Sequence, residues 1–125
     1  MTREDKIIKL IENLTENSQR FEEVLKSGNE FYFRYKGHVF SIMQRSDTSD
    51  DKWGEYGFYI YPNYDGQLAD LPETFEYPGH EPEYSHFDVK DFDGDVDAHP
   101  IFARLYRTFQ MRGVDSVIDD ILGSE

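Results

Sequence analysis

The residues best suited to chemistry form the run Asp91-Phe-Asp93-Gly-Asp95-Val-Asp97. Carboxylates clustered on a turn are what a hard cation such as Ca²⁺ requires. The spacing fails the EF-hand pattern. Counted from Asp91, glycine falls at the fourth place instead of the sixth, and the twelfth is Phe102 where a bidentate Glu belongs. Alternating aspartates on an extended segment would also point two to each side. The run reads as a solvated acidic turn, and no metal or other cofactor is expected.

Histidine chemistry is equally unspecific. His38, His80, His86 and His99 could supply metal ligands or a general base, and Glu81 and Glu83 lie near His80. No pair has the HExxH spacing that would place two imidazoles on one helical face, and His99-Pro100 looks like the entry to a helix. There is no G-x-S-x-G elbow, no cysteine and no glycine-rich phosphate loop after a strand. Asp and Glu are too plentiful for any two to stand out as a glycosidase pair. The chain is therefore read as a non-enzyme.

Charge is more informative. The net charge of −13 is carried by the middle of the chain: residues 1–46 hold 8 Lys/Arg against 7 Asp/Glu, residues 47–99 hold 2 against 15, and residues 100–125 hold 3 against 4. A phosphate backbone is bound by neutralising it with Lys and Arg, so direct nucleic-acid binding is not expected. A carboxylate-rich surface interleaved with Tyr, Phe and Trp suits a basic protein instead.

These groups must be positioned by a small domain. The 125 residues suffice for a single core without cross-links, and with no cysteines neither a disulfide framework nor a Cys-based zinc site is possible. No apolar run reaches about 18 residues and the N-terminus lacks an apolar leader, so a soluble, cytoplasmic protein without membrane contact is expected.

Residues 30–64 hold 11 of the 20 aromatic residues, and that density reads as strands. A turn at Lys36-Gly37 would set Tyr35 opposite His38, Phe33 opposite Phe40 and Phe31 opposite Ile42, leaving Tyr32, Arg34, Val39 and Ser41 on the other face. In a third strand, Tyr56, Phe58 and Ile60 point one way and Trp53, Tyr59 and Tyr61 the other, with Pro62 ending it. Coverage of both faces by helices and the middle segment is expected.

Thr2 and Asp5 suggest a capping box, and Ile7, Ile11, Leu14, Ser18, Phe21 and Leu25 form a stripe that predicts one helix from Arg3 to about Lys26, stopped by Gly28. The polar run Thr15-Glu-Asn-Ser18 is the place where it could break in two. Between 63 and 99 only Thr74 to Tyr77 and Tyr84 to Val89 could be short strands, in an irregular segment whose apolar residues pack it down. Asp97 and Pro100 open a C-terminal helix that buries Ile101, Phe102, Leu105, Tyr106 and Phe109. Gly113 is expected to stop it, and a short second helix would turn Val117, Ile118, Ile121 and Leu122 inward.

The expected fold is thus a single α+β domain over 1–125: a long N-terminal helix on a small antiparallel sheet (a hairpin plus a third strand), an irregular acidic segment and two C-terminal helices. The expected function is a non-enzymatic acidic binding protein that docks on a basic partner, as an inhibitor or immunity-type protein against a nucleic-acid-acting enzyme would. Trp53, Glu55, Tyr59, Asp91, Asp93, Asp95 and Asp97 are the expected contact residues. Two alternatives are a ligand- or metal-binding domain or enzyme with its site between the sheet and 63–99, and a self-associating structural or phage-type component using an uncovered aromatic face.

Overall fold

A computed structural model describes residues 2–45, 55–92 and 97–123. Its centre is an antiparallel sheet of five strands in sequence order: β1 (Glu23–Ser27), β2 (Glu30–Tyr35), β3 (His38–Gln44), β4 (Tyr56–Tyr61) and β5 (Ser85–Asp88). With helices α1 (Arg3–Glu16), α2 (Leu71–Thr74) and α3 (Ala98–Leu122), this is an α+β fold. The β2–β3 register is the expected one, Tyr35 opposite His38, Phe33 opposite Phe40 and Phe31 opposite Ile42. Lys36 and Gly37 both take positive φ, 52° and 79°, as a two-residue type I′ turn demands.

Helix α1 starts as read from the sequence. Thr2 accepts from the Asp5 backbone N–H while Asp5 accepts from the Thr2 N–H, which closes the capping box. The helix does not continue to Lys26. It ends at Asn17, whose side chain and backbone N–H both turn back on the Asn13 carbonyl, and a 3₁₀ turn at Ser18–Arg20 follows. Residues 23–27 instead form β1. Gly28 (φ 60°) belongs to a two-residue connection, Gly28-Asn29, between β1 and β2, not to a helix terminus. A tight link of that type competes successfully with a helix because β1 gains a full ladder against β2.

One face of the sheet meets the helices. Ile7, Ile8, Ile11 and Leu14 of α1 and Phe102, Leu105, Tyr106 and Phe109 of α3 share a core with Phe31, Phe33, Phe40, Ile42 and Phe58. Ring stacking knits it together: Phe33 lies 4.7 Å from Phe21, 5.0 Å from Phe109 and 5.4 Å from Phe40 between centroids. The other face has its own smaller core of Tyr32, Val39, Tyr61, Leu68 and Leu71. Its cover is the 62–84 connection. Because β4 and β5 are antiparallel neighbours, with Ile60 opposite Ser85, the connection leaves and returns at the same end of the sheet and folds over that face.

The rest of that connection departs from expectation. Residues 71–74 are helical, with Pro72 in the first turn where its missing N–H costs nothing, and Leu68 and Leu71 point into the second core. The strand expected near 74–77 is absent, whereas the one expected near 84–89 is β5. In the C-terminal region α3 begins at Ala98, so Pro100 is its third residue, and the Asp97 side chain makes no capping bond. The helix runs through Gly113 without a break, and Val117, Ile118, Ile121 and Leu122 are exposed instead of turned inward.

Phe33 is fully buried at the junction of α3, the segment before β1, and β3. Phe33→Ala is expected to lower the free energy of unfolding by about 3–5 kcal/mol. Chemical denaturation measures this, and a loss below about 1 kcal/mol would show that the ring does not hold these elements together.

Candidate functional site

The second sheet face carries the polar groups. Glu30, at the start of β2, receives the Tyr32 hydroxyl on Oε1 at 2.9 Å and the Ser41 hydroxyl on Oε2 at 2.6 Å, and Ser41 in turn lies 2.8 Å from the Tyr61 hydroxyl. The alternation of β2, β3 and β4 puts these side chains on one face, and mutual hydrogen bonding lets them be buried there. Burial and the Glu30 charge both push the Tyr32 and Tyr61 phenols well above their ordinary value. Tyr59 is pushed up to about 12 by the same two causes, burial first.

Beside Tyr59 stands a second cluster. Asp88, the last residue of β5, is 1% exposed, and both the Arg45 guanidinium and His86 Nε2, the latter at 2.9 Å, converge on its Oδ1. The His86 ring stacks on Tyr59 at 4.5 Å. Gly57 makes the room. A Cβ there would stand 3.0 Å from Arg45 Nη2 and 3.3 Å from both Asp88 Oδ1 and His86 Nε2. A buried carboxylate met by a guanidinium is a charge-compensated joint, and it ties β5 to the residue just after β3.

The outer surface of the 62–84 connection is different. Asp65, Asp70, Glu73, Glu76, Glu81 and Glu83 are all exposed, and no Lys or Arg interrupts them. Phe75, Tyr77 and Tyr84 are exposed among them, and Tyr84 and Phe75 pack on Tyr61 and on each other. An open groove of about 300 Å³ is lined by Asp70, Glu73, Thr74, Tyr77 and His80. Arg34 holds the connection to the sheet by donating to the Gly66 carbonyl at 2.9 Å, while its Nε pairs with Glu23 at 3.1 Å.

Of the residues expected to form the contact, Trp53, Asp93 and Asp95 lie outside the described residues. Glu55 immediately precedes β4, Asp91 follows β5 by three residues and Asp97 immediately precedes α3. Glu55 accepts from His99 Nε2 at 2.7 Å, two residues past Asp97, and Asp91 accepts the Asp88 N–H at 2.7 Å. The His99 bond, with a second from Gln44, holds the Glu55 carboxyl below its usual range. Tyr59 stands apart from these three, on the second face with His86 and Tyr84. The histidines do not share one set of neighbours either: His80 meets Tyr77, His86 meets Tyr59 and Asp88, and His99 meets Tyr56 and Glu55. Among the described residues no group of three or more His, Asp or Glu side chains could hold a metal ion. No helix of the described residues is long and apolar enough to cross a membrane.

Sequence reasoning missed Arg45, Asp88 and the groove. Asp88 could have been found as the lone acid in the short β-like run Ser85-His-Phe-Asp88, but its partner lies 43 residues away and only the fold joins them. No family model matches the chain, and no curated protein or solved structure is significantly similar to it.

Two outcomes follow from these clusters. Arg45→Met leaves the Asp88 carboxylate buried beside a neutral side chain, and a loss of about 3 kcal/mol or more is expected in denaturant unfolding; unchanged stability would mean that the guanidinium contributes nothing at this joint. The raised tyrosines favour the neutral phenol in the folded state, so their contribution is fully present below about pH 10 and is lost as pH rises toward the folded value, about 12 for Tyr59. Stability should therefore fall above about pH 10 by about 1.4 kcal/mol per pH unit for each such tyrosine. Tyrosinate absorbance followed against pH tests this, because Tyr32, Tyr59 and Tyr61 should ionise together with unfolding and not before it.

Proposed function

We propose that this chain is a non-enzymatic acidic protein that docks on a basic protein partner, in the manner of an inhibitor or immunity-type protein directed at an enzyme that acts on nucleic acid. The observation that carries the reading is the 65–84 surface, where six exposed carboxylates alternate with the exposed rings of Phe75, Tyr77 and Tyr84 and no cationic side chain lies within the segment. Enzymes that hold a phosphate backbone present Lys and Arg to it, and an acidic surface competes for the same groups.

The groove supplies an anchor for that contact. Asp70 and Glu73 offer carboxylates to a guanidinium or ammonium group, and the Tyr77 ring offers a face for cation–π contact. Tyr59, Tyr84 and Phe75 extend the aromatic surface toward β5. Glu55, Asp91 and Asp97 add negative potential and speed encounter with a basic partner. The polar clusters of the sheet are bonded internally, which suits a scaffold better than a reaction centre.

The test is capture of partners from an extract of the producing cells on the immobilised chain, over a salt series from about 50 mM to about 500 mM. A protein of strongly basic composition should be retained at low salt and released as salt rises. With that purified partner, Tyr77→Ala should weaken binding by about tenfold or more, as loss of a central aromatic anchor does, and Glu73→Lys should slow association. Retention that ignores both salt and these two substitutions would sink the proposal.

A further inference from the structure

Helix α3 carries a group of cations in a chain that is otherwise acidic. Arg104, Arg107 and Arg112 lie on it, and between Asp97 and Asp115 the sequence holds no Asp or Glu. At 100° per residue Arg104, Thr108, Met111 and Asp115 form one row, with Arg107 and Arg112 on either side of it. The row lies roughly 140° round the helix from the buried Phe102, Leu105, Tyr106 and Phe109, so it faces outward. Ser18 and Gln19, from the turn after α1, stand beside these side chains and complete an open groove of about 310 Å³.

Two of the cations are uncompensated. The chain has 26 Asp and Glu against 13 Lys and Arg, and Arg34 and Arg45 each pair with a carboxylate. Among the described residues neither Arg104 nor Arg107 does so, and both are exposed. Arg112 donates from Nη1 to the Ser18 carbonyl at 3.0 Å, which steadies its guanidinium beside the groove and uses one of five N–H donors. The Thr108 hydroxyl is committed to the Arg104 carbonyl at 2.9 Å, so recognition falls to the arginines and the Gln19 amide. Asp115 also lines the groove. It stands about 12 Å beyond Arg107 and about 17 Å beyond Arg104 along the helix axis, more than a screening length of about 8 Å, but only about 4.5 Å beyond Arg112. Its charge therefore offsets Arg112 and leaves the other two.

We infer that this groove binds the phosphate monoester dianion of a small molecule. Two free guanidiniums about one turn apart match a group with three acceptor oxygens and a charge near −2, whereas a carboxylate would neutralise only one of them. The volume lies at the lower bound for a small-molecule site, and Met111 offers an apolar contact to the rest of such a ligand. A polyanion or an acidic protein would extend beyond the groove and meet a chain of net charge −13. A compact ligand stays within a screening length of the arginines. The groove uses α3 and the turn after α1 and no residue of the 62–84 connection, so it stands or falls separately from the acidic surface.

Calorimetric titration of the full chain with phenyl phosphate and with phenyl sulfate tests the assignment. At about pH 7.5 phenyl phosphate should bind with a Kd below about 1 mM, and about tenfold or more tightly than the singly charged sulfate. That advantage should vanish by about pH 5, below the second ionisation of phosphate near 6, because no histidine lines the groove. Arg104→Gln and Arg107→Gln, both at exposed positions, should each weaken phenyl phosphate by about tenfold or more with an unchanged Tm. Asp115→Asn should change its affinity by less than about threefold. No binding at about 5 mM phenyl phosphate, equal affinity for phenyl sulfate, or indifference to both arginine substitutions would overturn the assignment. So would a larger effect of Asp115→Asn than of Arg107→Gln, or tighter binding of a phosphoserine peptide or of an oligothymidylate without a terminal phosphate.

Discussion

The buried carboxylate of Asp88 is the constraint around which the sheet is arranged. A charge held 1% exposed must be compensated where it stands, and the compensation comes from the guanidinium of Arg45, with His86 Nε2 2.9 Å from the same Oδ1. Arg45 follows the end of β3, His86 lies on β5, and β4 runs between them with Gly57 at the crossing point. A Cβ at Gly57 would stand 3.0–3.3 Å from these three groups, so a side chain there would make them give by a few tenths of an ångström. By closing the sheet at β5, the joint also sets the end point of the long connection from β4.

That end point decides where the acidic surface lies. A connection between antiparallel neighbours must leave and return at one end, and here it is held over the second face by Leu68, Leu71 and the bond from Arg34 to Gly66. The apolar residues of the segment turn down onto Tyr32, Val39 and Tyr61. Its carboxylates are left outside. An irregular, proline-interrupted stretch thus becomes a shaped surface with a groove, and the six carboxylates between 65 and 84 lie exposed along it.

The two ends of the chain show how local pattern and tertiary packing compete. The stripe Ile7, Ile11 and Leu14 is helical because a capping box starts it and α3 covers it, but Phe21 and Leu25 continue the same spacing into a segment that is not helical. Short apolar runs fit either period, and the ladder available to 23–27 beside β2 outweighs the helical alternative. In α3 the reverse happens. Gly113 suggests a stop, yet the helix continues, and its apolar residues change sides instead of turning inward. A glycine costs a helix only about 1 kcal/mol, which a continuing helix tolerates.

The sequence by itself determined the α+β class, the β2–β3 register, the facing of β4, the capping box and the concentration of negative charge between 47 and 99. Each of these rests on local chemistry: alternation with a period of two, a turn that accepts positive φ, a side chain three residues from its backbone partner, or the identity of the ionisable groups. Tertiary structure alone decided that residues 23–27 form a strand, that Asp88 meets Arg45 across 43 positions, that Tyr59 is separated from Glu55, Asp91 and Asp97, and that the 65–84 segment folds into an acidic groove. Those outcomes depend on which surfaces remain to be covered once the sheet has formed, and a linear pattern does not record that competition.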